Sequence, residues 1–208
     1  MTTLPPPLSE ARRDVLYAVR RRGEASVEEV ARTLAMTDSG ARQHLLALAD
    51  LGLVVARDQP AESRGRPRRV YRVTEAAEHV FPRAYGELAN ELLAYLDQDS
   101  EAGLFDQRRD QRIRRARARL DGLGLDDRVA ELTRILDEDG YMATCHRTEE
   151  GWAIVEHNCA IAAVAVAHPG ACRSELEFIR AVLPDAEVER TDHMVAGATQ
   201  CGYRVTPA

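Results

Sequence analysis

Between Ser26 and Gly52 the sequence sets out two short helices back to back, and this constrains the fold more than any other feature. Ser26-Val-Glu-Glu29 is a capping box, in which the serine hydroxyl and the Glu29 carboxylate each satisfy a backbone N–H that a first helical turn leaves free. The helix it opens is expected to end near Leu34. The next starts at Thr37 or Ser39 and stops at Gly52, with Ala41, Leu45 and Leu48 at i, i+4 and i+7 forming a core-facing stripe. A helix also precedes the pair. Ser9 caps it, Val15, Leu16, Ala18 and Val19 give it an apolar side, and Gly23 ends it after Arg22. Behind the pair, Leu53–Ala56 and Val70–Thr74 read as strands. Between them, residues 58–69 are a polar turn carrying Arg64, Arg66, Arg68 and Arg69. Three helices followed by a basic-tipped ribbon predict a winged helix-turn-helix, placed over residues 1–75 with a Pro-rich tail at 1–7.

That arrangement points to double-stranded DNA as partner. A major groove admits one helix, and side chains on its exposed face read base edges. Ser39, Arg42 and Gln43 lie off the apolar stripe and His44 lies at its edge; Arg suits guanine, Gln suits adenine, and Ser suits phosphate or base. The wing arginines 64, 66, 68 and 69 are placed to neutralise phosphates or enter the minor groove. The net charge of −6 hides an asymmetry that agrees with this: residues 1–74 carry +4, whereas residues 75–208 carry −10. The alternative is a three-helix domain whose arginine-rich loop is merely solvated.

Beyond the wing, residues 76–137 read as a helical linker and dimerisation region. Phe81-Pro82 interrupts it; Leu88, Leu92, Leu93 and Leu96 resume it; residues 97–103 form a polar break. Phe105–Leu120 is an arginine-rich helix with few apolar positions, expected to lie across a partner subunit or to stay solvated. An amphipathic helix at 126–137 follows. Residues 138–208 read as an α+β domain. It has a hairpin of 141–147 and 152–157 around Glu149-Glu-Gly151, a helix at 175–183, and strands at 187–194 and 203–205. The whole chain is therefore expected to be α+β.

A 45% apolar and 30% charged composition suits a globular protein. No apolar run approaches the ~20 residues that span a bilayer, and Met1-Thr-Thr-Leu-Pro-Pro-Pro is not a signal peptide. The expectation is a cytoplasmic protein with no membrane partner, whose four cysteines sit where stable disulfides are rare. Cys159, Cys172 and Cys201 are separated by 12 and 28 residues, and Cys145 precedes Cys159 by 13 intervening residues. None forms the paired spacing of structural zinc. On spacing alone each reads equally well as a small buried hydrophobe. There is no Gly-rich nucleotide loop and no acid–base or nucleophile set, so an enzyme is not expected.

Two sets of residues resemble known families. Ala41-Arg-Gln-His-Leu45, Leu48, Gly52-Leu53, Gly65-Arg-Pro67 and Tyr71-Arg-Val-Thr74 resemble the winged helix of ArsR/DeoR-like repressors. Glu156-His-Asn-Cys159-Ala-Ile161, His168-Pro-Gly-Ala-Cys172-Arg-Ser-Glu-Leu176 and Gly197…Cys201-Gly-Tyr-Arg-Val205 resemble the C-terminal part of the SufR family, iron–sulfur repressors of cluster-assembly genes. The resemblance runs from about Ser9 to Val205. It implies that Cys159, Cys172 and Cys201 ligate a [4Fe–4S] cluster, and that a homodimer represses when the cluster is present. Some members carry a fourth cysteine, which by pattern falls here at Ala186. Cys145 is a poor substitute, because hairpin pairing puts it opposite about residues 154–156, some ~10 Å or more along the strand from Cys159 at ~3.3 Å per residue. His157, His168, His193, Glu156 or an exogenous thiol stay open as the fourth ligand. The same cysteines would also suit a sensor of zinc, thiol oxidation or a small ligand. A redox enzyme using the cluster for electron transfer is the remaining alternative, and a DNA-binding module fits it poorly.

Overall fold

The structure is a computed structural model, and it describes residues 8–59 and 68–208. The Pro-rich tail and the tip of the wing, with Arg64 and Arg66, lie outside the described residues. The described chain divides after Arg83 into two compact units.

In the first unit, α1 (Glu10–Arg22) is capped by Ser9, whose hydroxyl accepts from the Arg12 N–H; Gly23, at φ +77°, ends it. A strand β1 (Glu24–Ser26) follows directly and had no signature in the sequence, because three residues are too few to show alternation. The expected capping box forms at the start of α2 (Val27–Leu34): the Glu29 N–H donates to Ser26 Oγ, and the Ser26 N–H donates to Glu29 Oε2 at 2.9 Å. Thr37 caps α3 (Asp38–Asp50) through the Gly40 N–H. Strands β2 (Val54–Gln59) and β3 (Arg68–Val73) run closer to the wing tip than expected. They form an antiparallel sheet in the order β1-β3-β2. Val15, Leu16, Val19, Ala41, Leu45 and Leu48 are fully buried at its core with Leu53 and Tyr71. A 3₁₀ turn at Glu75–Val80 closes the unit, with Phe81 stacked on Tyr17.

The second unit opens with α4 (Tyr85–Leu93) and α5 (Gln98–Leu120). Residues 97–103 are therefore not a break. Asp97 accepts the Ser100 N–H, and the acidic residues behind it occupy the first turn, where they favour a helix N-terminus. After α6 (Leu125–Leu136) a π-type turn, Asp137–Tyr141, leads into β4 (Ala143–Arg147) and β5 (Trp152–Glu156). The hairpin forms as expected, with Cys145 opposite Ile154. A short α7 (Ala162–Ala167) and a longer α8 (Pro169–Val182) follow. Helix α8 starts six residues earlier than the sequence suggested, with Pro169 in its first turn. Strands β6 (Ala186–Asp192) and β7 (Cys201–Pro207) complete an antiparallel sheet ordered β4-β5-β7-β6.

Helices α5, α6 and α8 share one core with this sheet, built from Ala116, Leu120, Leu132, Leu136, Ile154, Phe178, Ile179, Tyr203 and Val205. The two units thus differ from a three-part division with a separate helical region at 76–137. Helix α5 has too few apolar residues to stand alone, and it solves this by burying Phe105, Arg112, Ala116 and Leu120 within its own unit. The architecture is α+β, with a winged helix-turn-helix first.

Candidate functional site

On α3 the fully buried stripe of Ala41, Leu45 and Leu48 leaves Ser39, Arg42 and Gln43 exposed and His44 half-buried. Leu46, one helical turn beyond Arg42, is also exposed, a position the polar reading of this face passed over. Arg42 and Leu46 line a groove of about 690 Å³ with Val27, Glu28, Asp58 and the wing residues Arg68 and Arg69.

The two described wing arginines differ. Arg68 donates to Ser26 Oγ at 2.6 Å and pairs with Glu29 Oε2 at 2.9 Å, so it clasps the wing to the start of α2. Arg69 stands opposite Asp58 across the ribbon, 3.5 Å away, and stays largely exposed. Sequence alone treats the two as equivalent. Strand alternation separates them, because side chains of adjacent residues leave opposite faces.

The second candidate site gathers chain segments far apart in sequence. Cys159 lies just past β5, in a loop held where Asn158 donates through its backbone N–H to the Tyr141 carbonyl at 3.1 Å and through Nδ2 to the Gly140 carbonyl at 2.7 Å. Cys172 lies in the first turn of α8, not in a loop; its carbonyl accepts from Arg190 at 2.6 Å. The Ser174 hydroxyl donates to the Phe105 carbonyl at 3.0 Å and pins the same turn to α5. Cys201 opens β7, and its Sγ accepts the Met194 N–H at 3.4 Å.

These three thiols lie close enough to act on one another electrostatically. Burial pushes each one's pKa up. At Cys172 the charge of Arg190 pulls the other way, and Cys159 and Cys201 raise it further. Cys159 and Cys201 are also raised by the Glu156 carboxylate. A thiolate poised for oxidation shows the opposite shift, since low pKa and exposure make a cysteine reactive. Among the described residues, no three His, Cys, Asp or Glu side chains close on one point as the ligands of a single ion do. A four-iron cluster takes one ligand per iron and needs no such convergence.

Glu156 is the residue sequence reasoning undervalued. It sits in β5 directly opposite Cys201, and only 2% of its surface is exposed. Its Oε2 accepts from Tyr203 Oη at 3.3 Å, while Oε1 is buried without a partner. Burial first, and then the charge of Glu175, push its pKa up to about 8. A carboxyl in a strand whose inward positions are otherwise Trp152 and Ile154 was the available signal.

The remaining candidates are placed less favourably. His157 is exposed, with Nε2 3.0 Å from Thr144 Oγ1. His168 Nδ1 is 3.1 Å from Glu101. His193 is half-buried with Nε2 unpartnered, and burial and then Arg190 lower its pKa. Cys145 packs against the main core two positions along the sheet from the Glu156–Cys201 pair. Ala186, at the other end of the sheet opposite Pro207, lies six residues from Cys201 along β7, roughly 20 Å at ~3.3 Å per residue. A cysteine at that position could not join the three thiols.

Beneath the site is a buried ion network. Arg112 on α5 donates to Glu175 Oε2 at 2.5 Å and to Asp139 at 3.0 Å, and stacks over Phe178 at 4.2 Å. Tyr141 Oη donates to the same Glu175 oxygen at 3.0 Å. Glu175 also acts on Cys159 and Cys172, so the network adjoins the thiols electrostatically.

Among known proteins, residues 9–55 match the family model described as bacterial regulatory protein, arsR family. No curated protein matches the chain. Among solved structures, the chain is similar to BpsR of Bordetella bronchiseptica, whose structure addresses regulation of its DNA binding by 6-hydroxynicotinic acid. The two share 21% identity over 53% of this chain and 85% of that one, with a TM-score of 0.31. It is also similar to Bacillus subtilis PadR in complex with operator DNA, at 12% identity over 82% of this chain and 94% of that one, with a TM-score of 0.30. Residues 9–55, with their capped helices and buried α3 stripe, thus form a helix-turn-helix similar to that of the arsR family of bacterial regulatory proteins.

Proposed function

We propose that this chain is a cytoplasmic transcriptional repressor of iron–sulfur cluster assembly genes, acting as a homodimer whose DNA binding depends on a [4Fe–4S] cluster. Cys159, Cys172 and Cys201 would hold the cluster. The observation that carries this reading is the grouping of three thiols from a loop, a helix and a strand, each raised by burial and all coupled to one another. Three such groups beside a buried carboxylate with one oxygen unpartnered are unfavourable as anions until a cation joins them. When bound, the cluster supplies positive charge and a redox-labile link between the three segments. The residues supply the rest: Asn158, Arg190 and the Met194 N–H fix the positions of the segments before anything binds.

On the DNA side, Ser39, Arg42, Gln43 and His44 read the groove, and Arg69 and the wing residues Arg64 and Arg66 meet phosphate. Arg68 contributes to phosphate contact only in competition with Glu29. Support for a dimer comes from α4 and its flank, where Leu88, Leu92, Tyr95, Leu96 and Leu104 are exposed around a groove of about 640 Å³ lined by Leu92, Leu93, Leu104 and Phe105. Among the described residues, no helix is long and apolar enough to cross a membrane.

Anaerobic anisotropy titrations on DNA from cluster-assembly promoters test the function. Cluster-loaded protein should bind at least tenfold more tightly than the same preparation after its iron is chelated. Equal affinity in the two states would contradict a cluster-dependent repressor.

A further inference from the structure

Resting on the cluster reading above, we infer that Glu156 is the fourth ligand, completing the set of Cys159, Cys172 and Cys201 with a carboxylate oxygen. Three observations carry this. Glu156 pairs with Cys201 across β5 and β7, and directly opposed residues in an antiparallel sheet hold their side chains about 5 Å apart on one face. Its charge acts on both Cys159 and Cys201, so the carboxylate lies near two of the three thiols. Its Oε1 is buried without a hydrogen-bond partner, while Oε2 is held by Tyr203. An unpartnered buried carboxylate oxygen is costly to a fold and calls for an explanation. A metal ligand is one that fits these surroundings.

The competing groups are weaker. His157 and His168 are engaged with Thr144 and Glu101. His193 also has an unpartnered nitrogen, but the charge acting on it is that of Arg190. Ligation needs no oxidant: the carboxyl O–H bond breaks, an iron–oxygen bond forms, and the proton leaves to solvent. A hard oxygen donor among three thiolates would make one iron unlike the other three and the first to be lost.

The experiment compares wild type, Glu156→Gln, Glu156→Cys and His193→Ala after anaerobic reconstitution with iron and sulfide. Iron, acid-labile sulfide and electron paramagnetic resonance spectra are measured together. Far-ultraviolet circular dichroism and Trp152 fluorescence of the metal-free proteins show that each variant is folded. Wild type should hold about four irons per chain, and Glu156→Gln should drop to about three with the integer-spin signal of a reduced three-iron cluster, since loss of one ferrous ion changes no oxidation state. Glu156→Cys should restore four irons with a shifted spectrum. A folded Glu156→Gln protein with four irons and the wild-type spectrum would overturn the assignment. So would loss of one iron in His193→Ala but not in Glu156→Gln. Failure of wild type to take up any sulfide would instead strike the cluster reading itself, and this assignment with it.

Discussion

The two units of this protein keep their charges in different places. Among the described residues of the first unit, Ser26 is the one buried polar side chain, and it is satisfied by the capping box and by Arg68. The second unit buries Arg112, Glu156 and Glu175 together with Thr133 and Ser174. A charge in a protein interior carries a desolvation penalty that its partner repays only with good geometry. The first unit is therefore stabilised by apolar packing, leaving its polar groups free for DNA. The second holds ionisable groups inside its core, and two of them, Glu156 and Glu175, act on its cysteines.

The largest effect that would sharpen this contrast is expected at Arg112. Arg112→Ala leaves Glu175 buried without its main cation and should cost about 3–5 kcal/mol of stability in the second unit. The double variant Arg112→Met, Glu175→Leu should recover most of that loss. Urea unfolding followed by Trp152, the single tryptophan and a core residue of this unit, measures both. An Arg112→Ala loss below about 1 kcal/mol would show that the network contributes no more than a surface pair.

The next effect concerns recognition. Arg42→Ala with Gln43→Ala should leave the fold intact, because both side chains are exposed, and should relax base preference by ~1–3 kcal/mol per lost contact. Anisotropy titrations on operator and scrambled DNA would measure it. Unchanged discrimination would move the reading face toward Leu46 and the groove beside it.

A smaller effect is expected at the start of α2. Ser26→Ala removes the cap and an acceptor for Arg68, and should destabilise the first unit by about 1 kcal/mol. Thermal unfolding followed by circular dichroism would detect the shift. The smallest effect is on pH dependence. The Ser26 N–H, outweighing burial, and then Arg68 hold the Glu29 carboxyl below its ordinary value. Its contribution is fully present above that value and is lost as pH falls through the lower folded value. Replacing Glu29 by Gln should therefore flatten the acid side of the first unit's stability profile.

The same contrast explains what could be read from the sequence. The first unit follows local rules: Ser9, Ser26 and Thr37 cap helices, and apolar residues at helical spacing fill the core. Each signal sits within a few residues of what it specifies. In the second unit the deciding contacts join positions far apart, such as Arg112 with Glu175 and Glu156 with Cys201, and no local pattern announces them. Helix α5 read as covered by a partner subunit or solvated because its buried arginine counts as polar in any periodicity argument. Arg68 read as a phosphate contact because its bond to Ser26 depends on strand pairing. The three cysteines stood out by their resemblance to a family, and Glu156 was one of several open choices until its neighbours were known.

The central claim is that Cys159, Cys172 and Cys201 form one cluster site. Its most direct test is iron and sulfide analysis, with visible spectra, of anaerobically reconstituted wild type and the four single cysteine-to-serine variants. The wild type should be brown, with about four iron and four sulfide per chain. Cys159→Ser, Cys172→Ser and Cys201→Ser should each lose most of it, while Cys145→Ser keeps it. Stoichiometric zinc without sulfide in the wild type, or a cluster that survives Cys172→Ser and disappears in Cys145→Ser, would contradict the account.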